Sequence, residues 1–268
     1  MVYALQRIDN MSKSNYWKYY IGIDVPCANL SVSPKPIRLL DWELFQTIAY
    51  EPLRINEELM RKQLKIDESV SLYEYLVKYM MEKAKNETGR EEYGLIILAQ
   101  IFALAFRLPV ELKVEEDDGT LGFVFCIDGN ENDIINKHNY PQVREMIMEQ
   151  NLIFEPLVAP NKKSQEAIDK AIERKKNSGS TTETNIESMI VLVSKGRKID
   201  EDYTFYQLQA DYEMELRLEQ SRATPVYRAV GADIEPIVLA EVLSMHEDPY
   251  SFDKMFKKND RQKDNLSQ

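Results

Sequence analysis

Apolar side chains recur every three or four residues in several segments of the chain, which is the spacing that lines one face of an α-helix. One such segment follows Asp41, a predicted N-cap, and another runs from Phe205 to Leu216. The apolar run from Leu95 to Phe106 predicts a buried core helix, because a membrane span needs about 20 such residues. The hydrophobic pattern therefore predicts a protein built mostly of helices.

Strand patterns are confined to the first half of the chain. Tyr16 to Pro26 alternates and is rich in Tyr, Ile and Val, which predicts a strand. Two shorter strands are predicted over Asn29 to Ser33 and Ile37 to Leu39, where neighbouring prolines mark a turn or a sheet edge. The runs Val110 to Val114 and Leu121 to Ile127 flank an Asp-Gly pair, which is typical of a β-hairpin. A small antiparallel sheet is therefore expected beside the helices.

Capping boxes mark several helix starts, because a hydroxyl followed three positions later by Glu or Gln lets both side chains bond orphan backbone amides. Such boxes are predicted at Ser71 to Glu74, Thr88 to Glu91, Thr184 to Glu187 and Thr204 to Gln207. Further helices are predicted over 141–151, 164–176 and 233–245, and Gly196 stands where the helix that starts after Thr184 should stop.

Composition divides the chain into two domains, since residues 177–182 read Asn-Ser-Gly-Ser-Thr-Thr, as a flexible linker does. The predicted fold class is α+β and mostly α, with the strands and hairpin in the first domain and about three helices in the second. The predicted parts are a flexible N-terminus (1–14), an α+β domain (15–158), a polar helix with a Ser/Thr/Gly linker (159–183), a helical domain (184–250) and a flexible tail (251–268).

Charge and cysteine usage narrow the functional classes. The 268 residues carry 34 basic and 45 acidic side chains, and the net charge of −11 disfavours nucleic acid as a partner. The basic run from Lys162 to Lys176 alternates with acidic residues, as in an exposed, salt-bridged helix. Two distant cysteines, Cys27 and Cys126, favour reduced thiols in a cytoplasmic compartment, and the polar N-terminus does not resemble a secretion signal.

A calcium loop is the nearest match to a metal site. Asp128, Asn130 and Asn132 stand at its first three ligand positions. Asp133, however, stands where the loop needs glycine, and Asn139 stands where it needs a bidentate glutamate. The segment is therefore predicted to be an acidic, solvated turn.

Other chemistry is predicted to be absent. His138 and His246 are the only histidines, and neither has a second ligand at zinc spacing. The glycines do not form a phosphate loop, and the acidic run from Asp200 to Asp202 lies where a helix dipole favours negative charge. We therefore expect no catalytic residues, no metal and no cofactor, and a protein that is not an enzyme.

Aromatic and methionine side chains suggest binding. The chain has 15 tyrosines and 11 methionines, both of which favour adaptable interfaces, although both also fill cores. The candidate interaction surface consists of apolar and aromatic residues from the predicted helical domain: Ile186, Met189, Ile190, Tyr203, Phe205, Tyr206 and Tyr212.

Four segments carry a family resemblance: Tyr20 to Asp24, Pro160 to Arg174, Ile186 to Ile190 and Tyr203 to Leu208. In their pattern and order, the chain resembles the tail assembly chaperones, or tail morphogenesis proteins, of large tailed bacteriophages of Gram-positive hosts. The resemblance covers the C-terminal half best, and the hairpin at 110–127 has no match in it. The family brings no catalytic residues to this chain.

The resemblance implies a non-enzymatic tail assembly protein in the host cytoplasm, which holds the tape-measure protein soluble while the tail tube forms. Its expected partners are phage tail proteins, namely the tape-measure protein and tail-tube or baseplate subunits, with no nucleic acid and no membrane; a homo-oligomer is left open. A structural component that stays in the virion, in the baseplate or at the completed tail, is the alternative. A metal-dependent hydrolase using acidic residues is a third hypothesis, which metal analysis of the purified protein would test.

Overall fold

The structure, a computed structural model, describes residues 15–62, 64–114, 121–127, 130–159, 161–177, 185–229, 244–246 and 248. These residues form mostly α-helices together with one three-stranded antiparallel sheet, which confirms the predicted α+β, mostly α class. Within the described ranges, no helix has the length and apolar character that a membrane crossing requires.

The helices and strands follow one another along the chain in this order: α1 (Tyr16–Ile21), α2 (Trp42–Arg54), α3 (Glu57–Lys62), α4 (Leu72–Thr88), α5 (Glu92–Phe106), β1 (Val110–Val114), β2 (Leu121–Ile127), β3 (Asn130–Ile135), α6 (Tyr140–Gln150), α7 (Lys162–Asn177), α8 (Ile186–Ser194) and α9 (Phe205–Ala229). Short 3₁₀ turns lie at Leu39–Asp41 and Ser244–His246.

Helices α4 and α5 form a tightly packed antiparallel pair at the centre of the fold. The predicted capping box of α4 is confirmed, because Ser71 and Glu74 each bond the other's backbone amide. Gly94 allows the close approach of α5 to α4, since an added Cβ would overlap the Met80 carbonyl and lie 2.7 Å from the Met81 amide nitrogen. Neither backbone atom can yield to a side chain there.

The predicted hairpin is confirmed, and β3 extends it to a sheet of order β1-β2-β3. The central strand is buried on both faces, with Phe123, Val124 and Phe125 at most 4% exposed. Phe102 and Phe106 of α5 pack their rings on this strand, and these contacts join the sheet to the helical core. The alternation expected of a half-solvated sheet is therefore absent from β2.

The predicted first strand is wrong, because residues 16–21 form the helix α1. The helix ends at Gly22, whose left-handed backbone (φ 76°) closes the last turn. Tyr19 is buried and donates a hydrogen bond to Glu149 (2.9 Å). Packing of this one side chain overrides the strand preference of its β-favouring neighbours.

The two shorter predicted strands are also wrong. Residues 29–33 form turns and bends, and of residues 37–39 only Arg38 pairs, in an isolated antiparallel bridge with Thr204. Pro34 and Pro36 are both buried in this segment. Since proline lacks the amide that a ladder needs, the segment packs as irregular backbone.

Two predicted caps take other roles. The Thr88 hydroxyl donates to the Ala84 carbonyl within the last turn of α4, so it does not open α5. The Asp41 carboxylate pairs with Arg38 (2.7 Å) instead of capping α2. At α8 the N-cap is Asn185, which accepts a hydrogen bond from the Ser188 amide; Thr184 lies outside the described residues.

Backbone contacts cross the predicted domain boundary. The Leu39 amide donates to the Tyr203 carbonyl (2.8 Å), and the Phe205 amide donates to the Ile37 carbonyl (3.0 Å). The predicted linker and most of the predicted helix at 233–245 lie outside the described residues, so the division into domains stays a prediction. At the start of α9, Phe205 packs into the hydrophobic core formed by the first half of the chain.

Candidate functional site

A groove of about 540 Å³, here called the aromatic groove, lies where α2, the segment after α6 and α9 meet. Its walls are aromatic and aliphatic side chains with a few polar groups between them. The lining residues are Trp42, Gln46, Tyr50, Asn151, Leu152, Ile153, Phe154, Phe205, Gln209, Tyr212, Glu213, Leu216 and Met245.

The floor of the aromatic groove is a pair of stacked rings. Trp42 and Phe205 lie face to face, with centroids 3.6 Å apart and planes 4° from parallel. Both side chains are buried, and Phe45 packs against Trp42 from the core side. The floor is therefore continuous with the hydrophobic core.

A capping box positions Phe205. The Gln207 amide donates to the Thr204 hydroxyl (3.2 Å), and the Thr204 amide donates to the Gln207 side-chain oxygen (2.9 Å). This confirms the box predicted from the sequence. Since Thr204 also pairs with Arg38, the first turn of α9 is fixed in register against the segment before α2.

The buried polar side chain at the groove is satisfied inside the protein. The side-chain oxygen of Asn151 accepts a hydrogen bond from the Ile37 amide (2.9 Å), and its side-chain NH₂ group donates to the Ile147 carbonyl (2.8 Å). A buried amide with both ends bonded has little demand for a ligand. The groove therefore favours apolar occupants.

One charged pair stands at the edge of the groove. Glu213 accepts from Arg217 one turn along α9 (2.7 Å), and both side chains are largely buried. The second Glu213 oxygen accepts from the Met245 amide (2.9 Å). The Glu213 carboxylate thus accepts a hydrogen bond from a main-chain amide at this edge.

His246 holds the 244–246 turn against two helices. Its ring stacks on Tyr16 of α1, with centroids 3.5 Å apart and planes 2° from parallel, and its Nε2 lies 3.2 Å from the Tyr206 hydroxyl. Burial lowers the pKa of His246 to about 4, although the nearby Glu213 carboxylate opposes that shift. The imidazole is therefore neutral at pH 7 and holds the turn by stacking and hydrogen bonding.

Helix α1 is fastened to α9 through Asp211. Tyr20 donates to one Asp211 oxygen (2.7 Å) and Tyr203 donates to the other. The hydrogen bond to Asp211 raises the pKa of Tyr20 to about 12, and burial raises the pKa of Tyr203 well above its usual range. Gln207 completes the attachment by donating to the Tyr20 carbonyl (2.7 Å).

Three of the seven residues predicted as an interaction surface are inside the protein. Met189, Phe205 and Tyr206 are buried in the chain's own core, which corrects their placement on a surface. Their apolar character serves packing between α1, α8, α9 and the first half of the chain. The remaining members, Ile186, Ile190, Tyr203 and Tyr212, are half-buried, and of these Tyr212 lines the aromatic groove.

Most of the groove was not predicted. Trp42 and Tyr50 belong to a helix that the sequence predicts correctly, but only the approach of α9 turns its face into a groove wall. Leu152 and Phe154 follow the end of α6, where nothing in the pattern indicates a binding role. Met245 lies far along the chain from all of them.

The segment predicted to be an acidic, solvated turn is a strand where the structure describes it, since Asn130 and Asn132 belong to β3, which pairs with β2; Asp128 lies outside the described residues. No group of three His, Cys, Asp or Glu side chains suited to a metal ion occurs in the described part of the chain. Cys27 is buried and burial raises the pKa of its thiol to about 11; neither cysteine is in a disulfide.

Comparison of the chain with protein-family models, with curated proteins and with solved structures finds no match.

Proposed function

We propose that the chain is a non-enzymatic assembly protein of a bacteriophage tail, and that it acts in the host cytoplasm as a chaperone for the tape-measure protein. The observation that carries the proposal is the aromatic groove, whose walls are apolar and whose buried amide is internally bonded. Of the segments that resemble the tail assembly chaperones, Tyr203 to Leu208 supplies Phe205 to the groove floor, and Met189 in Ile186 to Ile190 accepts a hydrogen bond from Gln209, which lines the groove.

A groove of this kind suits an amphipathic helix. Such a helix presents apolar side chains at spacings of three and four, and these anchors enter a hydrophobic cleft while its polar face stays in water. Tyr50 is 46% exposed and Tyr212 is half-buried, so both offer aromatic surface, and Leu216 is 38% exposed at the rim. A long helical protein that aggregates alone would be shielded by many such contacts.

Co-expression with a tape-measure protein, recognised as a very long helical reading frame in the neighbouring genes, tests the proposal. We expect the chain to increase the soluble fraction of the tape-measure protein and to co-purify with it. Leu216→Glu places a charge in the groove and should abolish both effects, because an unpaired carboxylate is costly against apolar side chains. Met214→Glu is the matched control, since Met214 is similarly exposed on the same helix but does not line the groove.

Two results would contradict the chaperone proposal. One is a tape-measure protein whose solubility does not change when the chain is present. The other is equal activity of Leu216→Glu and Met214→Glu, which would mean that binding takes place elsewhere. Circular dichroism of both variants separates loss of binding from loss of folding.

A structural component of the virion is the second candidate, and an exposed apolar patch at α1 favours it. Trp17 and Ile21 are each 56% exposed, and Ile23 is exposed beside them. A permanent neighbour would cover such a patch. Mass spectrometry of purified particles decides between the two roles, because a structural component is present in fixed stoichiometry and a chaperone is absent.

A further inference from the structure

The aromatic groove contains a segment of its own chain at one end. Met245 lines the groove beside Phe205 and Leu216, and its backbone amide donates to Glu213 at the edge (2.9 Å). His246 follows it and is stacked on Tyr16 outside the groove. A side chain, a main-chain hydrogen bond and an aromatic stack therefore hold the 244–246 turn in place.

We propose that the 244–246 turn is an intramolecular competitor of the groove, and that the partner's segment binds by taking the place of Met245. The inference rests on the groove being the binding site, as proposed above. The occupant is an apolar peptide segment of a protein partner, with an unbranched side chain such as methionine at the position of Met245 and a main-chain amide that bonds Glu213.

The contacts that the 244–246 turn makes in the groove indicate which chemical groups the partner's segment needs. Methionine is unbranched and polarisable, so it adapts to the edges of aromatic rings such as Phe205 and Tyr212. Glu213 is held by Arg217 and offers one oxygen to an incoming amide. A segment that lacked either the apolar side chain or the free amide would leave part of this end of the groove unfilled.

The turn is held by contacts of a kind that a partner's segment can also make. Met245 and His246 are half-buried, and in the described part of the chain the turn contacts Tyr16, Tyr206 and α9, with Met245 also packed against the cluster around Tyr19 and Val25. The partner's segment cannot bind while the turn occupies the groove. The apparent affinity for the partner is therefore reduced in proportion to the fraction of time that the groove is free.

A peptide of residues 240–250 of this chain, labelled with fluorescein, tests the inference by fluorescence anisotropy. The full-length chain carrying Met245→Ala and His246→Ala should bind this peptide about tenfold more tightly than the unchanged chain, because its groove is empty. The same peptide with Met245→Ala should bind neither protein. Adding Leu216→Glu to the double variant should abolish binding, whereas adding Met214→Glu should leave it unchanged.

Equal binding of the peptide by the unchanged chain and the double variant would overturn the inference. Binding of the Met245→Ala peptide as tight as that of the unchanged peptide would do the same, because it would place the contact outside the Met245 position. The tape-measure protein takes no part in this measurement. If the peptide measurement fails but the tape-measure protein co-purifies, only the role of the turn as a competitor is refuted. If the peptide measurement succeeds but co-purification fails, only the proposed partner is refuted.

Discussion

Trp42 and Phe205 stack face to face with their ring centroids 3.6 Å apart, and this contact joins α2 to the start of α9. The two residues come from opposite sides of the predicted domain boundary. Their stack is at once part of the hydrophobic core and the floor of the aromatic groove. The same pair of rings therefore contributes to the core and to the shape of the groove.

Phe205→Ala should reduce the free energy of unfolding by about 3–5 kcal/mol, because it leaves a cavity beneath Trp42. Urea titration followed by tryptophan fluorescence measures the loss. Tyr227→Ala is the control on the same helix, since Tyr227 is exposed and its removal should change stability by less than about 0.5 kcal/mol. A Phe205→Ala variant as stable as the unchanged chain would contradict the stacked core.

Gly94→Ala should destabilise the protein by about 1–3 kcal/mol, because the added methyl overlaps the backbone at Met80 where α4 and α5 cross. Without that clash the change would be favourable, since alanine is a better helix former than glycine. Thermal unfolding by circular dichroism gives the sign directly. Gln100→Ala, at an exposed position of α5, is the control and should have little effect. A rise in stability on Gly94→Ala would show that the two helices are further apart.

Tyr140→Phe and Tyr73→Phe should differ in their effect on the free energy of unfolding, although both residues are buried. The Tyr73 hydroxyl donates to the Leu121 carbonyl (2.7 Å), so its removal leaves that carbonyl without this bond and costs about 1–2 kcal/mol. The Tyr140 hydroxyl is buried with no hydrogen-bond partner among the described residues, so its removal should be neutral or stabilising. Denaturant unfolding of the two variants side by side checks both signs.

Docking of the 244–246 turn should weaken as the pH falls from about 6.5 to about 4. Burial lowers the pKa of His246 from 6.5 to about 4, so the undocked state binds a proton more readily in that window and is favoured there. Well above pH 6.5 the imidazole is neutral in both states, and docking no longer depends on its protonation. Among the described residues, Tyr16, Tyr206 and Glu213 face the imidazole, and the Glu213 carboxylate favours its protonation.

The NMR signal of the Met245 methyl group reports this equilibrium, because leaving the aromatic groove changes the ring-current shift. The full chain labelled at methionine methyl groups is titrated from pH 8 to about pH 4. In a His246→Ala variant the Met245 signal should no longer respond in that window. An identical response with and without the imidazole would assign the transition to another group.

Local sequence rules predicted the parts of the fold that depend on neighbours in the chain. The capping boxes at Ser71 and Thr204, the hairpin around the Asp-Gly pair and the apolar helix α5 were all correct, since each is a short-range pattern. Residues 16–21 were predicted wrongly as a strand. Their helix depends on Tyr19 entering a site made by Glu149 and Tyr206, which no local pattern contains.

By itself, the sequence determined the class of the fold and where most helices begin, because amide capping and apolar periodicity are properties of a few consecutive residues. The tertiary structure alone decided which apolar side chains are core and which are groove. Phe205 and Tyr206 have the composition of a binding surface, yet burial between α1, α2 and α9 makes them part of the interior. Exposure depends on contacts between residues far apart in the chain, and hydrophobicity alone does not specify them.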